Sequence, residues 1–241
     1  MEFQLEWLFA AMVVFIAYMV RGMAGFGSGL IAVPLLAMVF PVHFVVPVVV
    51  LFDYIGSASQ GIRNHDKIVW REELVLIPFT LVGVALGLTV LQSLASSTLK
   101  QALAVFVIIY AVYQILPLPV LRGSRVLAVP CGLLGGMIGT LFGTGGPFYI
   151  IYFNLRGLDK DASRATFSAN FLIDGAIRLA AFASFGLLTG DMALAILAGL
   201  PLIAAGLWVG GRAHAIMSTQ AYVHLVSILL FVSGIILLLR N

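Results

Sequence analysis

Six stretches of the chain, 22–52, 74–99, 101–121, 126–155, 192–211 and 213–239, contain no Asp, Glu, Lys or Arg. Crossing the hydrocarbon of a bilayer takes about 20 apolar residues in a helix, so each stretch can cross at least once. Only 10% of the 241 residues are charged, against roughly 25% in a soluble domain. Backbone polar groups in hydrocarbon must be satisfied internally, and a helix does so within one segment. The chain therefore reads as an all-α polytopic membrane protein. The longest polar loop, "RNHDKIVWREE" at 63–73, has 11 residues, so no soluble domain is expected.

The first residues, "MEFQLEW", hold two acidic side chains and no basic one. A signal peptide needs a positive n-region, so this end is expected to be mature protein. A single cysteine, Cys131, excludes an intramolecular disulfide. The formal charge of +3 is read as loop lysines and arginines that orient the membrane helices, not as a nucleic-acid footprint.

The chain repeats itself. "GFGSG" at 25 is answered by "FGTGG" at 142, "LFD" at 51 by "LID" at 172, "GVALG" at 83 by "GLWVG" at 206, and the apolar run from 99 by that from 220. Subtracting positions gives offsets of 117, 121, 123 and 121, in the same order along the chain. Two repeats are expected, 1–121 and 122–241, forming one integral membrane unit. Their segments lie near 5–40, 42–62, 74–92 and 99–116, then 126–153, 164–186, 190–210 and 220–239. The paired glycines at 83–87 and 206–210 are spaced to let helix backbones approach closely.

The first segment of each half is interrupted by glycines, which are poor helix formers. If both interrupted segments cross fully, the 11 loop lysines and arginines divide 6 to 5 and orient nothing. If each turns back as a re-entrant hairpin, one side collects Arg63, Lys67, Arg71, Arg122, Arg125, Arg156, Lys160, Arg164 and Arg212. The other keeps Lys100 and Arg240. That asymmetry is a positive-inside signal. It gives each half an odd number of crossings, so the two four-segment halves become inverted repeats, an architecture of secondary transporters.

Non-helical backbone at membrane depth persists only inside protein or beside a water-filled cavity. Beyond each break a short helix is expected, near Leu30 and near Phe148. Its unpaired N–H groups and positive dipole end suit a small anion, and two such ends meeting between inverted halves would make a site. The candidate substrate contacts are Gly27, Ser28 and Gly29 in the first break and Gly143, Thr144, Gly145 and Gly146 in the second. Arg21, Asn170 and Arg178 join them. Asp174 and Arg178 stand four apart and share a helix face. Asp53 has Ser57 at the equivalent position. Because burial favours the neutral form of a carboxyl, Asp53 and Asp174 are the candidate proton-coupling residues. Arg21 either contacts substrate or snorkels to the surface; Gln60 and Asn64 add polar groups.

"GMAGFGSGLIAVPLL" and "GGMIGTLFGTGGPFYI" resemble the TauE/SafE family of sulfite and organosulfonate exporters, over essentially the whole chain. The family's motif positions fall on Gly25, Gly27, Gly29 and Pro34, then on Gly139, Gly143, Gly145, Gly146 and Pro147. "FYII" after Pro147 departs from the small aliphatic residues expected there, which bears on substrate size and shape. The resemblance implies a bacterial inner-membrane exporter of a sulfur-containing anion; the residues alone say small anion. The expected partners are that anionic substrate and membrane lipid, with a homodimer left open. No cofactor or metal is expected. The alternatives are a passive anion channel, a carrier of another small anion such as a carboxylate, a membrane enzyme, or a structural subunit. HExxH, GxSxG and Walker-type sequences are all absent, which counts against enzyme and ATP-driven readings.

Overall fold

A computed structural model describes residues 2–61, 66–116, 123–213 and 219–239. Among them lie ten α-helices: α1 (Glu2–Ala24), α2 (Ser28–Leu36), α3 (Val42–Gly61), α4 (Trp70–Ser93), α5 (Ser96–Ile115), α6 (Ala128–Phe142), α7 (Gly146–Leu155), α8 (Lys160–Ser184), α9 (Met192–Ala213) and α10 (Thr219–Leu239). A 3-10 turn, Arg125–Leu127, leads into α6. Among the described residues, five stretches are long and apolar enough to cross a membrane: Gln4–Met23, Trp70–Ser93, Ser96–Ile115, Arg125–Phe142 and Met192–Arg212. Leu5, Leu8, Leu74, Ile109, Leu194, Leu197 and Trp208 are each more than half exposed, an outer surface suited to lipid and not to water.

The expected all-α class holds, and each glycine interruption does separate two helices. Some helix starts differ from expectation. α4 starts at Trp70, so the end of the anticipated polar loop is helix, and Glu72 and Glu73 occupy its first turn. The short helices start earlier than Leu30 and Phe148, at Ser28 and Gly146. The trailing prolines also differ: Pro147 sits in the first turn of α7, whereas Pro34 lies inside α2. Arg63, Asn64, Arg122 and Arg240 lie outside the described residues, as do the side chains of Gln60 and Lys160.

The helices gather into two compact units, and each takes segments from both sequence halves. One comprises 1–49, 94–117 and 190–241; the other comprises 50–93 and 118–189.

In the first unit α9 lies along α1. The carbonyls of Phe15 and Met19 stand where Cβ atoms on Gly206 and Gly210 would point, and Gly22 faces Leu207 and Gly210. Rising numbers meet rising numbers, so the pair is parallel. α5 and α10 run antiparallel: Ser227 Oγ donates to Gln114 Oε1 at 3.2 Å, and Gly234 abuts Ala104, Val107 and Ile108. Trp7, early in α1, stacks obliquely on Phe40, just beyond α2, with centroids 5.4 Å apart.

In the second unit α4 lies along α6, again parallel. Gly132 faces Leu76 and Phe79, Gly136 faces Thr80 and Gly83, and Gly87 faces Met137 and Thr140. α7 folds back beside α6, because Gly123 N–H donates to the Leu155 carbonyl at 2.8 Å. Arg156 Nη1 donates to the Gly123 carbonyl at 2.7 Å. The chain thus enters α6 and leaves α7 at one end of the pair. The starts of α4 and α8 reach each other too: Lys67 pairs with Asp161 at 2.6 Å, and Val69 N–H donates to Thr166 Oγ1 at 2.9 Å. The hydrogen bond from Lys67 to Asp161 holds that ammonium above its ordinary pKa.

Candidate functional site

In the first unit the break depends on backbone that only glycine adopts without strain. Gly27, the N-cap of α2, has φ 97°, in the left-handed region, and no side chain caps the helix. The first turn of α2 therefore begins with N–H groups that no cap side chain takes up. Ser28 and Gly29 are buried in that turn. Arg21, at the end of α1, is 2% exposed. Its Nη1 donates to Ser28 Oγ at 3.0 Å, so the arginine turns into the break and does not snorkel. Sequence reasoning nominated Arg21, Gly27, Ser28 and Gly29 separately; the fold brings Arg21 onto Ser28.

The break in the second unit is built differently. Gly143 ends α6 with φ 65°, the left-handed cap that stops a helix. Thr144 is buried, and its Oγ1 has no hydrogen-bond partner. Gly145 packs its Cα against α6: a side chain there would strike the Gly135 carbonyl and, at 3.2 Å, Gly139 Cα. Its lack of a side chain therefore serves packing directly. Gly146 opens α7 against the rings of Phe167 and Phe171.

Arg178 of α8 reaches this break. Its Nη1 donates to the Gly139 carbonyl at 2.9 Å, and its Nη2 donates to Asp174 Oδ2, one turn earlier on the same helix. A Cβ on Gly139 would stand 2.9 Å from Nη1, so that glycine admits the guanidinium. Arg178 and Asp174 are each 1% exposed, and Arg178 Nε and Asp174 Oδ1 lack hydrogen-bond partners. The anticipated ion pair thus forms inside the protein, with one donor and one acceptor left over.

Asn170 lies a further turn back on α8 and leads to a residue that sequence reasoning missed. Its Nδ2 donates to Glu73 Oε1 at 3.1 Å. Glu73 is 0% exposed, and among the described residues neither its Oε2 nor Asn170 Oδ1 has a hydrogen-bond partner. Nearby, Thr80 Oγ1 and the Tyr149 hydroxyl share a hydrogen bond of 3.3 Å between α4 and α7. Asp53 of α3 is buried as well, and Ser57 Oγ donates to its backbone carbonyl at 2.8 Å.

Glu72, also missed, fastens the end of the unit where α6 begins and α7 finishes. Its carboxylate accepts from the Tyr152 hydroxyl at 2.6 Å, from Arg125 Nη2 at 3.0 Å and from Arg156 Nε at 3.0 Å. The hydrogen bond to Glu72 holds Arg156 above its ordinary pKa. Two acidic residues directly before an apolar run were the available signal, because acids favour the first turn of a helix.

The two breaks share a chemistry. Each sets a buried arginine and a buried hydroxyl residue beside glycine-determined backbone. That is a set of fixed hydrogen-bond donors, the equipment for holding an oxyanion. A family model described as Sulfite exporter TauE/SafE matches residues 10–237. No curated protein and no solved structure matches the chain.

Proposed function

The chain belongs to the sulfite exporter TauE/SafE family, and from that premise we propose that it exports sulfite or a small organosulfonate across a bacterial inner membrane. It is a multi-pass membrane protein of a transporter family, and family membership implies a small sulfur-containing anion as cargo. On this proposal it works as a secondary transporter by alternating access, driven by a proton gradient. The glycine-broken first segment of each half is a re-entrant hairpin, and the halves 1–121 and 122–241 are inverted repeats. Three observations support that threading. Gly123 meets Leu155 where the second hairpin opens. α7, at 10 residues, rises about 15 Å, short of the roughly 30 Å hydrocarbon core, as a returning hairpin arm would be. α5 and α10, the last helices of the two halves, run antiparallel, as inversion requires.

The observation that carries the anion reading is the buried Arg178 beside Gly139 and Gly145, with its Nε unpartnered. Buried unpartnered donors are costly, and an oxyanion relieves that cost. The proposed substrate contacts are Arg21, Gly27, Ser28 and Gly29 in one unit and Gly143, Thr144, Gly145, Gly146, Asn170 and Arg178 in the other. Buried carboxylates carry the proton, with Asp53 and Asp174 nominated from the sequence.

The test is calorimetric titration of purified protein with sulfite, simple sulfonates and short carboxylates, followed by flux from vesicles. Arg178→Lys keeps the charge on Asp174 but removes the planar fork. It should weaken binding roughly tenfold or more, since a charge-assisted hydrogen bond contributes about 1.5–3 kcal/mol. Gly145→Val is a poor probe, because it disturbs the α6–α7 contact first. Unchanged sulfite affinity in Arg178→Lys would remove Arg178 from the site. Preference for carboxylates would overturn the sulfur-anion assignment, and unsaturable flux with single-channel currents would favour a channel.

A further inference from the structure

Three buried side chains of the second unit, Glu73, Asp174 and Arg178, are ionisable and lie in one electrostatic neighbourhood. They number two carboxylates and one guanidinium. Arg178 donates to Asp174 and so neutralises it. Glu73 receives only the uncharged amide of Asn170, and it forms no ion pair among the described residues. Among the described residues its second oxygen has no donor.

The other groups nearby do not change that balance. α6 contributes no charged side chain, and its one titratable residue is Cys131. α7 contributes Tyr149, bonded to Thr80, and Tyr152, bonded to Glu72. Glu72, preceding Glu73 on α4, is matched by Arg125 and Arg156. Asp53, on α3, is the unit's other buried carboxylate.

An ionised carboxylate with no cation is heavily penalised in an apolar interior, and a proton or a cationic partner removes the penalty. Among the described residues none supplies a cationic partner here. Unpartnered among the described residues, the acceptors Glu73 Oε2 and Asn170 Oδ1 suit an arriving proton. We propose that Glu73, held by Asn170 and set near the Asp174–Arg178 pair, is the residue that takes up and releases the coupling proton. This rests on the proton-coupled reading above and moves the proton from Asp53 and Asp174 to Glu73. In this arrangement Asp174 positions Arg178 at the second break. Asn170 reports the state of Glu73, because its amide can donate to a carboxylate or turn to accept from a carboxylic acid.

Two measurements on the full chain in lipid decide it. Infrared difference spectroscopy at neutral pH should reveal the carbonyl stretch of a neutral carboxyl. That band should vanish in Glu73→Gln and persist in Asp174→Asn and Asp53→Asn. In vesicles, Glu73→Gln should retain exchange of labelled sulfite between equal pools but lose all acceleration by an imposed pH gradient. A band that survives Glu73→Gln overturns the proposal, as does a variant that responds to the pH gradient like wild type. Should Glu73→Gln not yield monodisperse protein, Glu73→Asp takes its place: the band then shifts, and an unshifted band overturns the proposal. If wild-type protein exchanges no sulfite or sulfonate, the transport reading falls while the infrared arm still decides the state of Glu73.

Discussion

Glu72 and Glu73 are adjacent in the chain and opposite in their chemistry. Successive helical residues point about 100° apart, so one carboxylate enters a nest of two guanidiniums and a phenol while the other meets the uncharged amide of Asn170. Replacing Glu72 by Gln should remove charge-assisted bonds worth about 1.5–3 kcal/mol. The side chains of Arg125 and Arg156 keep 37% and 23% of their exposure, so water compensates in part and the lower end applies. A drop in the unfolding temperature of detergent-solubilised protein, absent in Asp161→Asn at the exposed Lys67 pair, checks this. Neither glutamate was legible as a site residue. The polar loop was bounded by the last charge before an apolar run, and that rule places any helix-opening acid in the loop. By contrast, the Asp174–Arg178 pair was legible, because i,i+4 spacing within a helix determines contact by itself.

At the scale of elements, small residues determine which helices touch. Gly83 and Gly87 of α4 meet α6, while Gly206 and Gly210 of α9 meet α1, each backbone against backbone. That these glycines serve close approach was readable from their spacing. Their partners were not, because Gly22, Gly132 and Gly136 lie in segments whose glycines had been attributed to the breaks. Adjacent residues give a sharp comparison. A Cβ on Gly210 would collide with the Met19 carbonyl, whereas one on Gly211 meets nothing within 4 Å. Gly210→Ala should therefore destabilise by about 1–3 kcal/mol through overpacking. Gly211→Ala should be neutral or stabilising by up to about 1 kcal/mol, since alanine is the better helix former. Equal melting temperatures for the two variants would show that α1 and α9 are not in close contact.

At the scale of the whole molecule, threading is the property that the charge count addresses. Lys67 and Asp161 touch, so both lie on one side of the bilayer; on the proposed threading the positive-inside rule makes that side cytoplasmic. With Cys131 replaced by Ser, single cysteines at Lys67, Asp161 and Arg212 should react with an impermeant thiol reagent only in inside-out vesicles. A cysteine at Lys100 should react only from outside. Lys100 labelling on the same side as Lys67 would overturn the hairpin threading. The two breaks were legible because glycine leaves a strong mark in an apolar sequence. The gathering of helices into units was not, since packing between distant segments leaves no local trace.

That gathering governs the order in which the molecule can be completed during synthesis. α4 leaves the ribosome with its glycine face bare and must wait until α6, beginning at Ala128, has been made. α1 waits longer, since its partner α9 begins at Met192. Neither unit is finished when the first half ends, because each draws on both halves. The newborn first half is therefore a set of unmated surfaces in the membrane, exposed to quality-control proteases and to wrong neighbours. A ribosome stalled near residue 121 would present a degradation substrate, and the same half made alongside a separate second half would find there the surfaces it lacks.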